Sequence, residues 1–277
     1  ESGTILCTSR TNPFKIEGGV ENVVATLKEK GFDFLIPIGG DDTLGVAHKL
    51  AVHGLKAVGI PQTIDNDIGE TDYAIGFDTA LNFVMEALDR LRATAYSHSR
   101  VIVAEVMGRD AGWLTLLGGM AGGADAILIP EIQFSIEDLC SQLRVLQKGG
   151  KRFALVAVAE GALPEGGQEQ VSKTGETDGF GHTILGGISD WLAKQIRDKT
   201  GYETRSVILG HLQRGGVPTA FDRNLATRYG AAAVNACIEG KFDNMVTLKG
   251  HEIVLVPLEK ALKKNRVVEL KRFRESE

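Results

Sequence analysis

Two acidic, glycine-punctuated turns carry the clearest chemistry in this chain: "IPIGGDDTLG" at 36–45 and "GIPQTIDNDIG" at 59–69. Each follows a short apolar run, so each would sit at the carboxyl end of a strand, where open α/β sheets bind ligands. Thr63, Asp65 and Asp67 alternate along the second turn, and an extended backbone would project all three to one side. Two carboxylates and a hydroxyl, beside the further pair Asp41 and Asp42, are suited to Mg²⁺ and to a base acting on an alcohol. That is the equipment of phosphoryl transfer. The bland readings are turns: Asp42 or Thr43 as the N-cap of a following helix, and "TIDND" as an Asx-rich turn.

Cationic turns complete the set. In "VMGRDAGW" at 106–113, Gly108 admits a close backbone approach and Arg109 can fork onto a phosphate. "ETRSVILGHLQRGG" at 203–216 brackets a strand, with Arg205 at its start and His211 and Arg214 beyond its end. Glu160 closes the run "FALVAVAE" and could hold sugar hydroxyls, and Arg10 lies in another turn, "TSRTNPF". His48, His53, His98, His182 and His251 show no ligand spacing and read as structural, and Trp113 and Trp191 read as core.

The elements that must position these residues alternate. β-rich runs at 33–38, 56–60, 101–106, 126–130, 153–159 and 205–209 alternate with helical patterns at 19–30, 43–53, 76–97, 110–121, 135–147, 184–199 and 221–239. In 76–97, Phe77, Leu81, Val84, Leu88 and Leu91 share one helical face. This alternation predicts right-handed crossovers and a mainly parallel, helix-covered α/β sheet. The polar, glycine-rich 161–183 reads as a long surface excursion, and "KKNRVVELKRFRESE" as a solvated tail. A net charge of −5 over 277 residues argues against a nucleic-acid binder, and no apolar run approaches the roughly 20 residues of a membrane span. Cys7, Cys140 and Cys237 form no C-x-x-C and are odd in number, which fits a reduced, cytoplasmic setting.

Seven motifs in order, "IGGDDT", "PQTIDNDI", "IGFDTA", "VMGRDAG", "AGGADAILIPE", "VAEG" and "LGHLQRGG", resemble the bacterial-type 6-phosphofructokinases, in the branch that holds both ATP- and pyrophosphate-using members. The resemblance covers nearly the whole chain. It implies two α/β domains with the active site in the cleft between them. They would be a larger donor-binding domain of 1–75 with about 221–250, a smaller fructose 6-phosphate domain of 76–220, and a C-terminal segment of 251–277. It implies Asp65 as the base for the fructose 6-phosphate 1-hydroxyl, Asp41 as the Mg²⁺ carboxylate, and Asp67 in support of either. Thr63 would lie beside the transferring phosphoryl group, with Ile64 in the same sugar-contacting turn, and Arg10 and Arg109 would stabilise charge on the phosphates. Arg100, Arg205, His211 and Arg214, with Leu212 and Gln213 of the same motif, match the sugar-phosphate site. Met107, Gly108 and Glu160 would shape it. In the family Arg100 and Arg205 come from a neighbouring subunit, which implies a homodimer or homotetramer. Arg92 and Lys151 lie where the family can bind an effector and read as surface charges. Family members open with a strand and a glycine-rich turn that has no counterpart here, so the chain is expected to begin in mid-domain and to be weakly active or inactive alone.

The choice of donor turns on Asp42 and Gln62, one in each acidic turn, with Gly40 and Thr43 as further donor-binding positions. ATP-using members resemble this chain but carry Gly at positions 42 and 62, whereas pyrophosphate-using members carry Asp and usually Lys. Asp42 would stand where the α-phosphate of ATP sits, and two like charges about 4 Å apart cost roughly 4 kcal/mol at an effective dielectric near 20. Pyrophosphate is therefore the expected donor. Gln62 is a neutral amide in place of the Lys, so ATP stays as the alternative, and a non-catalytic regulatory subunit as a second.

Overall fold

Short aliphatic runs that end in glycine or proline can pair as strands but cannot continue, so the chain keeps returning through helices. The computed structural model describes residues 4–9, 11–166, 172–177, 183–185, 187–269, 271 and 273. In chain order the elements open with α1 (Gly19–Glu29), β1 (Ile38–Gly39), α2 (Asp41–Ala51), β2 (Val58–Pro61), α3 (Phe77–His98) and β3 (Val101–Val106). Next come α4 (Trp113–Ala121), β4 (Ala126–Leu128), α5 (Ile136–Lys148), β5 (Ala154–Ala159), β6 (Ser172–Thr177), β7 (Thr183–Leu185) and α6 (Ile188–Thr200). The last are β8 (Thr204–Ile208), α7 (Ala220–Ile238), β9 (Asn244–Lys249), β10 (Glu252–Pro257) and α8 (Leu258–Leu262). Among the described residues no helix is long and apolar enough to cross a membrane.

The chain divides into two compact units, 1–78 with 217–266, and 79–216 with 267–277. The first contains a sheet of order β1-β2-β9-β10, parallel except for the antiparallel β9–β10 pair. Val58 and Ile60 of β2 pack with Leu225 and Tyr229 of α7. Gly59 points the other way, where an added Cβ would lie 2.7 Å from Leu44 of α2. The alternation of strand side chains thus puts helices on both faces. The buried Tyr229 hydroxyl donates to the Tyr73 carbonyl at 2.8 Å and lies 3.0 Å from the Thr71 hydroxyl. Burial pushes its pKa up to about 12, so it stays protonated.

The second unit contains a wholly parallel sheet of order β4-β5-β3-β8. β3 and β5 are buried at every position, as expected of strands covered on both faces. Val101, Val103, Val156 and Val158 face Leu139 and Leu143 of α5 and Ile188, Leu192 and Ile196 of α6. Ile102 and Leu155 face the opposite layer, against Leu91 and Ala95 of α3.

Several expected elements are corrected. The run 33–38 is a strand only at β1, with an isolated bridge from Leu35 to Ala57, because it lies at a sheet edge and Pro37 has no N–H to give. The helix expected at 110–121 begins at Trp113, after a turn tied by Gly112. The helix expected at 184–199 begins at Ile188. The β9–β10 hairpin and α8 lie in a stretch for which the sequence suggested no strand. The excursion 161–183 includes buried Gly161 and Ala162 and the paired strands β6 and β7; residues 167–171 and 178–182, with His182, lie outside the described residues. Nor is the charged C-terminal run all solvated: Val268 is buried, and Arg266 N–H donates to the Asp67 carbonyl at 2.6 Å.

Candidate active site

The two acidic turns are neighbours because their strands are. β1 and β2 run parallel, and Gln62 N–H donates to the Gly39 carbonyl at 2.9 Å just past their ends. A Cβ on Gly40 would meet Thr63 Cβ at 3.9 Å. Helix α2 starts immediately after the glycine pair, with Gly40 as N-cap and no side-chain cap. Asp41 and Asp42 therefore occupy its first turn, where carboxylates offset the helix dipole. The expectation that Asp42 or Thr43 caps the helix is corrected. Thr43 instead packs over Gly39, where any Cβ would fall 2.6 Å from its hydroxyl oxygen. Asp41 and Thr43 are exposed and Asp42 half-buried, as is Asp65.

The second turn is not extended. The backbone bends at Ile64 and Asp65, Asp65 N–H donates to Thr63 Oγ1 at 3.1 Å, and Asn66 is left-handed with φ 52°. The simple alternation expected of Thr63, Asp65 and Asp67 is thereby broken. What fixes the turn is Asn66, to which the motif pattern assigns no role. It is 2% exposed, its amide donates to the Asp72 carbonyl at 3.1 Å, and its oxygen accepts from Ala74 N–H at 2.9 Å. Asn is among the few residues that tolerate the left-handed region, which was the available signal.

The second unit carries the cationic residues, at two opposite ends of its sheet. At the carboxyl end, the turn after β3 holds Met107, Gly108 and Arg109. Gly108 has φ 140°, and a Cβ there would lie 2.7 Å from the Ala111 carbonyl oxygen. Gly161 N–H donates to the Gly108 carbonyl at 3.1 Å, and a Cβ at Gly161 would fall 1.9 Å from the Arg109 carbonyl oxygen. The Arg109 Nε is buried with no hydrogen-bond partner among the described residues. Glu160, at the end of β5, donates its N–H to the Val106 carbonyl at 2.9 Å. Past β8, His211, Leu212 and Arg214 are exposed on a single 3-10 turn, Gly210–Arg214. Gln213 is 1% exposed and turned inward: its amide accepts from Met107 N–H at 3.2 Å and donates to the Gly210 carbonyl at 3.1 Å. It ties the two turns together. Behind the Arg109 turn, the Glu131 carboxylate accepts from Gly112 N–H at 2.9 Å and from Val268 N–H at 2.8 Å.

At the amino end, Arg100 precedes β3 and Arg205 is the second residue of β8. One oxygen of Glu203 takes Arg100 Nη2 at 2.8 Å and Arg205 Nη2 at 2.9 Å. The Arg100 guanidinium holds the Glu203 carboxyl below the usual 4.5. Arg100 and Met107 are seven residues apart along extended chain, roughly 23 Å at about 3.3 Å per residue. Arg92 donates to the Gly122 and Gly123 carbonyls, and Lys151 contacts Asp125. Arg10 lies outside the described residues.

Acidic turns at one sheet's strand ends, one of them opening a helix, and arginines held at another's are the features of an α/β protein that handles phosphorylated ligands. A family model described as Phosphofructokinase matches residues 1–237, and the chain belongs to that family. A pyrophosphate–fructose 6-phosphate 1-phosphotransferase of Amycolatopsis mediterranei is 54% identical, with 99% of this chain and 80% of that protein covered. An ATP-dependent 6-phosphofructokinase of Corynebacterium efficiens is 45% identical, with 98% and 78% covered. Among solved structures, a Pichia pastoris phosphofructokinase matches with a TM-score of 0.82 and 34% identity, covering 95% of this chain; the chain spans 30% of that larger one.

Proposed function

We propose that this chain transfers a phosphoryl group from pyrophosphate to the 1-hydroxyl of fructose 6-phosphate, giving fructose 1,6-bisphosphate in the cytoplasm. The observation that carries the donor choice is Asp42 in the first turn of α2. A helix N-terminus preceded by two glycines is an anion site, and here a fixed carboxylate takes up part of it. Pyrophosphate leaves that carboxylate room, whereas the α-phosphate of ATP would meet its charge. The relatives at 54% identity named for pyrophosphate point the same way. Relatives at 45–48% identity named for ATP, together with the neutral Gln62, keep ATP as the second reading.

In this reading Asp65 accepts the proton of the sugar hydroxyl as its oxygen bonds to phosphorus and the bridging P–O bond of pyrophosphate breaks, releasing phosphate. Asn66 holds the base in place from behind, and Thr63 and Asp67 flank it. Arg109 meets the negative charge that develops on the phosphoryl oxygens; its unpartnered Nε is a donor kept in reserve for an anion. Among the described residues no three His, Cys, Asp or Glu side chains gather as a metal cage. Mg²⁺ at such sites uses only one or two carboxylates and completes its shell with phosphate and water, and exposed Asp41 fits that mode. When bound, the ion would neutralise phosphate charge.

Fructose 6-phosphate would be held by Glu160, Met107, His211 and Arg214. Arg100, roughly 23 Å from Met107, and Arg205, opposite Ile102 and so roughly 17 Å from it, lie toward the other sheet end and do not join them in the same chain. The reading therefore calls for a homo-oligomer in which each copy lends these two arginines to its neighbour. The test is a side-by-side assay of the protein and its Asp42→Gly variant with ATP and with pyrophosphate. We expect pyrophosphate to be preferred, and the variant to gain ATP use by up to about a thousandfold. No gain would sink the charge argument.

A further inference from the structure

Glu203 has no part in the chemistry proposed above, yet it sits where that chemistry needs an anion. Its one oxygen receives an N–H from each of the two arginines, at 2.8 and 2.9 Å, the arrangement a phosphate oxygen would take. The parallel pairing of β3 and β8 builds this: Val101 stands opposite Thr204, and Val101 N–H donates to the Glu203 carbonyl at 3.0 Å. Arg100 and Glu203 are thereby set side by side, with Arg205 two residues on along the same face. The cluster is not saturated, because Arg100 Nε is buried and has no acceptor among the described residues. A carboxylate, half-exposed at 45%, thus occupies two donors of a site that still has one to fill.

We propose that Glu203 is a built-in competitor for the sugar-phosphate site, one that weakens phosphate binding at Arg100 and Arg205. This rests on the reading of those arginines as phosphate ligands. The pair of guanidinium groups with Glu203 carries a net charge of +1; without the carboxylate it would carry +2. An arriving phosphate must either displace Glu203 or share the arginines with a like charge beside it. Affinity is then set below what two free arginines would give, and an anion too small or too weakly charged to displace the carboxylate is refused. Glu203 acts through the arginines and touches no reacting atom, so its effect belongs in the binding of fructose 6-phosphate and not in turnover.

The experiment measures fructose 6-phosphate binding by calorimetry, and kcat and KM, for the full protein, Glu203→Gln and Arg205→Ala. We expect Glu203→Gln to bind the sugar phosphate about fivefold more tightly, the upper end of what one exposed charge contributes. KM should fall in parallel and kcat should not change. Arg205→Ala should bind more weakly. If Arg205→Ala weakens binding while Glu203→Gln leaves it unchanged or weakens it too, Glu203 is no competitor and the arginine reading survives. If Arg205→Ala has no effect, the arginine reading fails and takes this proposal with it. Glu203→Ala, which removes the side chain's reach as well as its charge, guards against a Gln that still bridges the pair.

Discussion

The turn that bears Arg109, at the carboxyl end of the β4-β5-β3-β8 sheet, is fixed by backbone: two glycines, main-chain hydrogen bonds and the inward-turned Gln213. At the amino end of the same sheet, Arg100 and Arg205 are held by a carboxylate they share at the surface. Backbone contacts at the Arg109 turn leave no room for a Cβ at Gly108 or Gly161, and would suit the proposed role of Arg109, which needs placement within a fraction of an ångström. Surface ion pairs are worth little individually and exchange partners readily. The amino end is therefore the one whose side chains can exchange partners, as the proposed lending of Arg100 and Arg205 to a second copy would require. One sheet thus has an end held by backbone contacts and an end held by an exposed ion-pair cluster.

The strongest way to break this contrast is Gly161→Ala. The new methyl would fall 1.9 Å from the Arg109 carbonyl oxygen, so the Arg109 turn must move. Overpacking against backbone costs about 3 kcal/mol, and a displacement near 1 Å lowers kcat by about a hundredfold. Urea denaturation and steady-state kinetics read the two effects. A variant with unaltered kcat would show that the carboxyl end is not rigid.

Glu131→Gln tests the same end more gently. The carboxylate accepts two backbone N–H groups, one at the start of α4 and one from Val268. Both N–H groups share one oxygen, which a Gln carbonyl can replace as a weaker, neutral acceptor. Its amide N–H₂ then takes the place of the oxygen 3.1 Å from Gly112 N–H, so we expect about 1 kcal/mol of lost stability. Hydrogen exchange at the Gly112 and Val268 amides should quicken together. Unequal changes would mean that the C-terminal segment is not coupled to the turn.

Legibility in the sequence followed the range of the interactions. The acidic turns and "VMGRDAG" were readable because glycine, carboxylate and arginine spacing is local and the turns end apolar runs. Asn66, Gln213 and Glu131 do their work through partners 8, 106 and 19 residues away, for which no local pattern exists. The β9–β10 hairpin was legible in principle, as "MVTLK" and "EIVLVP" about a Gly-His turn, but lay outside the strand–helix rhythm. Val268 was hidden by its charged neighbours: an apolar pair within "KKNRVVELKR" gives no period, and only the fold shows that one of the two is buried. That Arg100 and Arg205 share one carboxylate required the register of β3 against β8, which the order of strands along the chain does not reveal.

The smallest expected effect belongs to the amino end and separates it by pH. The hydrogen bond from Arg100 leads the causes that lower the Glu203 pKa from the ordinary 4.5, with the charges of Arg100, Arg205 and His98 adding to it. A carboxyl whose folded pKa is depressed contributes stability above its unfolded pKa, and that contribution is lost as pH falls through the folded value. Thermal melts of the protein and of Glu203→Gln should therefore differ slightly near pH 6. They should converge below pH 4.5 as the wild-type carboxyl takes up its proton. The Gly161→Ala deficit involves no titratable group at the point of collision, so it should persist across the same range. If the two deficits faded together on acidification, the carboxyl end would have to depend on charge as the amino end does, and the division between a steric end and an electrostatic one would be lost.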